Sequence, residues 1–187
     1  MKLKNIEFYS TPSGEVMIKK AGEPLKKYVE SDTELTSQMI EVISEFYTEA
    51  FDALCEIYTR SEMNKRYFEY LIVHRFIRCN FSEYDNTYDV DQSGVFRFEH
   101  VKCPLRGECK YCEIICSPKF NSKLTEREHE VMKLYYESFP TDQIADRLFI
   151  SIKTVEKHKS NVLKKLKLHS LAEFNSYASN HNLFNNL

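Results

Sequence analysis

The chain of 187 residues has no tryptophan and only four glycines. Scarce glycine argues against a glycine-rich phosphate-binding loop and against a flexible low-complexity protein. No apolar run approaches the roughly 20 residues that a membrane-spanning helix needs. The first residues, Met1–Glu7, lack the apolar core of a signal peptide. We therefore expect a cytoplasmic protein without membrane contact, in which cysteines rarely form a disulfide framework.

Charge is distributed unevenly along the chain. Residues 119–187 hold eleven Lys and Arg against eight Asp and Glu, whereas residues 1–118 hold fifteen against twenty. A basic C-terminal part behind an acidic N-terminal part is typical of a protein that contacts nucleic acid at one end. Because this length also allows two small domains, we predict one domain at residues 1–118 and another at residues 119–187.

The N-terminal part shows patterns of both strands and helices. Residues 6–20 predict a β-hairpin, because two runs of aromatic and β-branched residues flank a Pro-Ser-Gly turn. Residues 21–33 predict a loop. Apolar residues at spacings of three and four predict one long helix from Thr36 to about Arg60 and another from about Glu62 to Arg78. The two helices would pack as an antiparallel pair.

A stretch with few apolar residues follows these helices. Residues 82–94 are rich in Asp, Asn and Ser and predict a loop, and the alternation in Val95–Val101 predicts a strand. Four cysteines then lie within fourteen residues: Cys103, Cys109, Cys112 and Cys116. Thiolates this dense in a reduced compartment most often hold Zn²⁺ in a tetrahedron. Metal binding would supply folding free energy that this stretch otherwise lacks.

The cysteine pattern leaves alternatives open. Four cysteines also bind iron–sulfur clusters, which would make the protein a redox or oxygen sensor. Thiols without a metal, or a reversible disulfide, are a third possibility, and His100 would be able to replace one cysteine as a ligand. Cys55 and Cys79 have no cysteine near them in sequence. Both are therefore interpreted as small buried side chains.

The C-terminal part contains a series of helix-start signals, each followed by an amphipathic run. Thr125 and Glu128 form a capping box for a first helix. Thr141 is predicted to cap a short second helix, and Ser151 a third. A second capping box begins at Ser170 and opens a fourth helix. These signals predict four helices in the C-terminal domain.

The third of these helices has two contrasting faces. Val155 and Val162 lie on its apolar face, whereas four lysines and one serine recur every three or four residues on the other: Lys153, Lys157, Ser160, Lys164 and Lys167. From Lys153 to Lys167 there are six lysines and one acidic residue. An ordinary solvated helix face mixes both charge signs, and this one does not. Because a major groove admits one α-helix and lysines beside it neutralise phosphates, the pattern predicts contact with double-stranded DNA.

This order of motifs resembles the helix-turn-helix domain of the LuxR/FixJ/NarL superfamily of bacterial transcription regulators. The matching segments are LTEREHEVMKL from Leu124, QIADRLFIS from Gln143, KTVEKH from Lys153 and NVLKKL from Asn161, about a third of the chain. Ser138 is a departure, because the family usually has glycine at this left-handed turn. A serine there costs on the order of 1 kcal/mol.

The resemblance implies roles for residues of the third helix. Glu156, Lys157 and Ser160 correspond to positions that face base edges, with Lys157 donating to guanine and Glu156 accepting from cytosine. Other residues would contact the DNA backbone and position the helix. They are Lys153, Thr154, Lys159, Asn161 and Lys164, and Ser151 at the helix N-terminus completes the predicted set. The fourth helix would pair two subunits on a two-fold DNA site.

The resemblance does not extend into residues 1–118. They lack the alternating strands and helices of a phosphoacceptor receiver, and the chain has no tryptophan for the acyl-homoserine-lactone pocket of this superfamily. We predict a mainly α protein, an N-terminal α+β region followed by a four-helix LuxR-type domain. It would regulate transcription as a DNA-binding homodimer without enzymatic activity. Two alternatives stay open: a metal- or redox-responsive regulator, and an adapter whose N-terminal helices dock RNA polymerase or another protein.

Overall fold

The computed structural model describes residues 3–85, 87–92, 94–181 and 183–184. Contacts between residues divide the chain into two compact units, Met1–Lys119 and Phe120–Leu187. The N-terminal unit combines a small sheet with helices, and the C-terminal unit is helical. In the described part of the chain, every helix is too short or too polar to cross a membrane.

The predicted hairpin is present in the N-terminal unit. Strands β1 (Ile6–Ser10) and β2 (Val16–Lys20) pair antiparallel along their whole length. Gly14 closes the turn between them with a φ of +86°, and its amide donates to the carbonyl oxygen of Thr11 at 2.8 Å. Glycine adopts a positive φ without strain. The sequence therefore predicts both the strands and the turn correctly.

Residues 21–33 are predicted as a loop, and this prediction is wrong in part. A third strand, β3 (Lys26–Lys27), pairs antiparallel with β2. The amide of Tyr28 continues the pairing by donating to the carbonyl oxygen of Val16 at 2.8 Å. The two lysines are exposed, and an edge strand needs backbone partners rather than an apolar face. The apolar pattern alone therefore gives no sign of β3.

The long helix predicted from Thr36 to Arg60 is two helices. α1 (Thr33–Phe46) and α2 (Thr48–Tyr58) are separated at Tyr47, whose backbone leaves the helical region at φ −131° and ψ 51°. The ring of Tyr47 is buried and packs against three phenylalanine rings of the same unit. The spacing of apolar residues continues across the break, so the sequence pattern does not reveal it.

The second predicted helix is present with shifted ends. A short 3₁₀ helix (Thr59–Ser61) leads to α3 (Lys65–Asn80), which packs against both α1 and α2. The side chain of Asn64 caps α3 by accepting a hydrogen bond from the Tyr67 amide at 3.2 Å. Asparagine is among the residues preferred at this position.

Phenylalanine rings fill the centre of the N-terminal unit. Phe76 on α3 and Phe81 just after it have ring centroids 6.5 Å apart. Phe96 and Phe98 each contact both of these rings at 5.6 to 6.1 Å. Because Phe96 and Phe98 are two residues apart, an extended backbone places both on the same side. Phe96 and Phe98 follow the alternation seen in the sequence, whereas Val95 and Val101, at the alternate positions, are also buried.

The strand predicted for Val95–Val101 is nevertheless wrong. Among the described residues, this stretch makes only an isolated bridge between Val90 and Phe96. The Glu99 amide instead donates to the carbonyl oxygen of Asn80 at the end of α3, at 2.9 Å. An extended segment becomes a strand only beside a second strand that accepts its hydrogen bonds.

The rest of this region also carries little regular structure. The loop predicted at residues 82–94 includes positions 86 and 93, which lie outside the described residues, and the others form neither a helix nor a strand. Residues 104–116 consist mainly of successive turns. We refer to residues 103–118 as the cysteine segment.

The C-terminal unit contains the four predicted helices: α4 (Glu126–Tyr136), α5 (Thr141–Leu148), α6 (Ile152–Lys165) and α7 (Leu171–Asn180). Their apolar faces enclose one core. Its fully buried members come from all four helices: Val131, Met132, Ile144, Val155, Val162 and Phe174. The apolar periodicity of the sequence therefore predicts this core.

The helix caps follow the sequence with two exceptions, one at Thr141 and one in the box that begins at Ser170. The capping box of Thr125 and Glu128 is confirmed, with both of its reciprocal hydrogen bonds present. Thr141, predicted as the cap of α5, is instead its first residue, after Pro140. The Thr141 hydroxyl is shared with the Tyr135 hydroxyl at 3.0 Å. Its side chain thus links α5 to α4 rather than capping α5.

A left-handed turn after α4 and the start of α7 complete the unit. Ser138 has a φ of +66°, and its amide donates to the carbonyl oxygen of Tyr135 at 3.0 Å. This is the left-handed position where the sequence departs from glycine. The Ser170 hydroxyl accepts from the Glu173 amide at 3.1 Å, but the Glu173 carboxylate accepts from the His169 amide, one residue before the predicted partner.

Candidate nucleic-acid interface

Helix α6 has one face in the core and one in solvent. Val155 and Val162 are fully buried, and Ser151 begins the helix by accepting a hydrogen bond from the Thr154 amide at 3.1 Å. The opposite face exposes most of the predicted DNA-binding residues: Ser151, Lys153, Lys157, Ser160, Asn161 and Lys164. The fold therefore gathers these side chains on one solvent-facing surface, which we call the α6 face.

The other three predicted residues are half-buried. The Thr154 hydroxyl is hydrogen-bonded to the Ser151 hydroxyl at 2.8 Å. Lys159 forms an ion pair with Glu156, and its Nζ lies 5.5 Å from the centre of the Tyr135 ring. These side chains contact their own domain as well as solvent.

Glu156 has a role in the fold that the sequence analysis missed. Its Oε1 lies 3.5 Å from the Tyr135 hydroxyl and 3.3 Å from the Thr141 hydroxyl, and its Oε2 pairs with Lys159. The hydrogen bond from Lys159 lowers the pKa of Glu156 below its ordinary value. The carboxylate therefore links α6 to α4 and α5, and its predicted contact with cytosine would compete with these interactions.

Glu128 and Lys165 connect α4 to the end of α6. The Lys165 ammonium donates to Glu128 Oε2 at 2.5 Å, and the Thr125 amide and hydroxyl donate to the same oxygen at 2.9 and 3.0 Å. Burial raises the pKa of Glu128, but the hydrogen bonds from Lys165 and Thr125 outweigh it and lower the pKa. Lys165 is thus a structural lysine, although it belongs to the same run as the lysines of the α6 face.

The ion pairs divide the lysines of α6 into two groups. Lys159 and Lys165 are paired with glutamates. Within the described part of the chain, Lys153, Lys157 and Lys164 form no ion pair, and all three are exposed. Three lysines without a carboxylate partner therefore remain on the α6 face, where they can neutralise an anion.

The turn between α5 and α6 exposes apolar side chains. Phe149 adopts a left-handed conformation with a φ of 53°, and its side chain is 94% exposed. Ile152, in the first turn of α6, is also exposed. The neighbouring Ile150 amide closes the turn by donating to the Ala145 carbonyl oxygen at 3.0 Å. The turn thus sets the direction in which α6 leaves α5.

In the N-terminal unit, Asn80 anchors the cysteine segment to α3. Its side-chain amide donates to the Ile115 carbonyl oxygen at 2.8 Å, and its Oδ1 accepts from the Ser117 amide at 2.8 Å. Asn80 is fully buried. The two bonds flank Cys116 and hold it beside α3.

This anchor brings Cys116 next to Cys79, a pairing that the sequence analysis missed. The hydrogen bond between the two thiols lowers the pKa of Cys79 to about 7, against the opposing effect of burial and with further help from the Arg75 guanidinium. The same hydrogen bond, with burial, raises the pKa of Cys116. Cys79 is therefore more than a small buried side chain, and no local signal relates it to a cysteine so far along the chain.

The predicted metal site consists of four of the six cysteines. All six are free thiols without disulfides. Among the described residues, no group of three or more His, Cys, Asp and Glu side chains is placed to hold a metal ion. The imidazole of His100 lies 3.4 Å from the Arg106 guanidinium. Ligation of Zn²⁺ or of an iron–sulfur cluster by Cys103, Cys109, Cys112 and Cys116 stays a prediction.

Residues 122–178 match the family model of bacterial regulatory proteins, luxR family. The match begins just before α4 and ends within α7. It therefore covers the four-helix unit and includes all nine predicted DNA-binding residues. This agrees with the resemblance seen in the sequence.

The same part of the chain is similar to known regulators. Oxygen regulatory protein NreC of Staphylococcus carnosus (strain TM300) is 42% identical over 55 residues, which are 29% of this chain and 25% of that protein. NreC of Staphylococcus aureus strains JH9 and JH1 gives the same values. The chain thus spans about a quarter of the length of these curated relatives. Residues 122–178 are a helix-turn-helix domain of the LuxR family of bacterial regulatory proteins.

Proposed function

We propose that this protein is a sequence-specific transcription regulator that inserts α6 into the major groove of DNA. The observation that carries this proposal is the α6 face, with three exposed, unpaired lysines opposite a fully buried apolar face in a domain of the LuxR family. The width of a major groove matches one α-helix. Release of counterions from the phosphates would supply much of the affinity.

The exposed side chains suggest a division of roles on the α6 face. Lys157 and Ser160, in the middle of the helix, would contact base edges, and Lys157 suits the two acceptors of guanine. Lys153 and Lys164, near the two ends, would contact phosphates, as would Ser151 and Asn161. Thr154 and Lys159 are half-buried and would reach the DNA backbone at the edge of the face. Glu156 would read cytosine only after giving up part of its bonding to Tyr135, Thr141 and Lys159.

A homodimer on a two-fold DNA site is part of the same proposal. Phe174 and Ala178 direct one face of α7 into the core of the unit. Its other face exposes small and polar side chains, including Ala172, Ser176 and Ser179. Small side chains allow the close approach of a second helix. Two copies joined through α7 would place two α6 helices on one DNA site.

Quantitative gel-shift titration against promoter fragments of the source genome tests the function. Lys157→Ala should abolish the preference for the specific fragment, whereas Lys164→Ala should weaken binding to all fragments alike and reduce the salt slope by about 1. Lys133→Ala on α4 is the matched control, since Lys133 is an exposed lysine away from α6. Binding that is equally strong in Lys157→Ala would contradict the proposed orientation of α6.

Two predictions about the N-terminal unit lie outside this proposal. Zn²⁺ or an iron–sulfur cluster in the cysteine segment has only the cysteine spacing in its favour, and elemental analysis with a visible spectrum of the purified protein tests it. Docking of RNA polymerase or another protein by the N-terminal helices is tested by pull-down with the full chain. The family concerned is one of regulatory proteins, so enzymatic activity forms no part of the proposal.

A further inference from the structure

Two exposed apolar side chains lie where the turn after α5 leads into α6. Phe149 is 94% exposed, and Ile152, the first residue of α6, is 55% exposed. We propose that these two side chains, which we call the apolar edge, select thymine in the DNA site by contacting its C5-methyl group. This inference rests on the proposed function, because it concerns the same contact with DNA.

The fold of the C-terminal unit does not account for the phenylalanine at position 149. Its φ of 53° lies in the left-handed region, which bulky residues rarely adopt. Glycine or asparagine makes such a turn at lower cost. The ring of Phe149 gains little from packing in return, because nearly all of it faces solvent. A contact outside the domain would offset this cost.

Ile152 continues the row of positions that are predicted to face base edges. It lies four residues before Glu156 and eight before Ser160, and residues four apart are neighbours on the surface of a helix. Its chain neighbours Ser151 and Lys153 are exposed and belong to the predicted DNA-binding set. Helix-turn-helix proteins contact base edges with the N-terminal residues of the second helix. The apolar edge therefore lies at the end of α6 that enters the groove.

Charge beside the apolar edge favours DNA over an apolar protein groove as the occupant. Lys153 and Lys157 are exposed and form no ion pair in the described part of the chain. DNA offers phosphates to these lysines, and among its base edges in the major groove the thymine methyl is the apolar group. One partner thus satisfies both kinds of side chain.

Replacement of single thymines by uracil tests the proposal, because uracil keeps the base pair and lacks only the methyl group. In gel-shift titration of the full chain with the specific fragment, at least one such replacement should weaken wild-type binding by about fourfold, the effect of one buried methyl group. Ile152→Ala, which preserves the helix, should bind the thymine and uracil fragments equally. Lys153→Ala is the matched control and should weaken binding to both fragments by the same factor, so that their ratio stays about fourfold.

Phe149→Asn provides a second variant that keeps the turn. Asparagine tolerates the left-handed conformation, so the thermal unfolding temperature should stay the same or rise. Affinity for the specific fragment should nevertheless fall, and the difference between thymine and uracil fragments should shrink. Opposite changes in stability and affinity separate a lost DNA contact from a damaged fold.

The outcomes distinguish this inference from the proposed function. Specific binding by the wild type that tolerates uracil at every thymine would overturn the inference and leave the proposed function in place. The same holds if Ile152→Ala and Phe149→Asn bind DNA like the wild type, a result that would assign the apolar edge to a protein partner instead. A wild-type chain that binds no fragment specifically would overturn both.

Discussion

The buried polar side chains of the two units differ in how far along the chain their hydrogen-bond partners lie. In the C-terminal unit, the carboxylate of Glu128 bonds to Thr125, three residues away, and only Lys165 is a distant partner. In the N-terminal unit, the buried side chains of Asp89 and Asn80 bond to residues 81 and 35 positions away. Local partners are visible in a sequence, and remote ones are not.

This difference explains why the sequence predicts the C-terminal unit more completely than the N-terminal unit. Capping residues and apolar periodicity act over three or four residues, so they predict all four helices of the C-terminal unit. In the N-terminal unit, the helix is interrupted at Tyr47, whose ring packs against phenylalanine rings that are distant in sequence. The contrast between local and remote anchors can be tested by hydrogen exchange. Mass spectrometry resolves the exchange of peptides from each unit in the full chain.

The largest expected effect follows from removing the remote anchor. Asn80→Ala leaves the Ile115 carbonyl oxygen and the Ser117 amide without their buried partner, so we expect a loss of about 3 kcal/mol in the N-terminal unit. Peptides covering the cysteine segment should exchange faster, and those of the C-terminal unit should not. Asn64→Ala, which removes only a helix cap, should cost about 1 kcal/mol. Unchanged exchange in the cysteine segment would mean that Asn80 is not its anchor.

A local anchor in the C-terminal unit should have a smaller effect. Glu128→Ala removes half of the capping box and the partner of Lys165, for an expected loss of about 2 kcal/mol in that unit. Glu126→Ala, an exposed acid in the same first turn, is the matched control and should change stability by about 0.5 kcal/mol or less. If both variants exchange alike, the capping box contributes little and the contrast between units weakens.

A pH-dependent effect should be confined to the N-terminal unit. Burial raises the pKa of Asp89 to about 8, although its carboxylate accepts a hydrogen bond from the Phe8 amide. The folded state then keeps a proton that the unfolded state releases above its pKa of about 4, so stability falls as pH rises from about 4 to about 8.

Asp89→Asn keeps a neutral acceptor for the Phe8 amide at every pH. At pH 8 the variant should be more stable than the wild type by on the order of 1 kcal/mol or more, and near pH 4 the two should converge. Part of the pH dependence will remain, because burial also raises the pKa of Glu7. Asp52→Asn, an exposed site on α2, is the control. A constant difference between variant and wild type from pH 4 to 8 would contradict the raised pKa.

The smallest expected effect is a gain of stability in the C-terminal unit. Ser138 has a φ of +66°, so Ser138→Gly should relieve left-handed strain and stabilise the unit by about 1 kcal/mol. Ser176→Gly, at an exposed position inside α7, should instead destabilise it by about 0.5 kcal/mol. Thermal unfolding measures both signs. A loss of stability in Ser138→Gly would show that the serine side chain compensates for the strain.

Particular residues show where sequence reasoning succeeded within the candidate site. The exposed positions of Lys153, Lys157 and Lys164 follow from helical periodicity alone, because Val155 and Val162 fix which face is buried. Periodicity does not show which polar groups bind one another. Glu156 and Lys165 look like members of the same charged run, and only the folded domain joins Glu156 to Tyr135 and Thr141 and Lys165 to Glu128.

The sequence by itself determined the C-terminal unit: its four helices, its core, and the exposed, lysine-rich face of α6. Short-range capping and a 3.6-residue period are enough for this, since each signal and its structural effect lie within one or two turns. Tertiary structure alone decided that α1 and α2 separate at Tyr47, that Asn80 anchors the cysteine segment, and that Cys79 meets Cys116. These features depend on contacts between residues far apart in the chain, whose approach is set by the packing of the whole N-terminal unit.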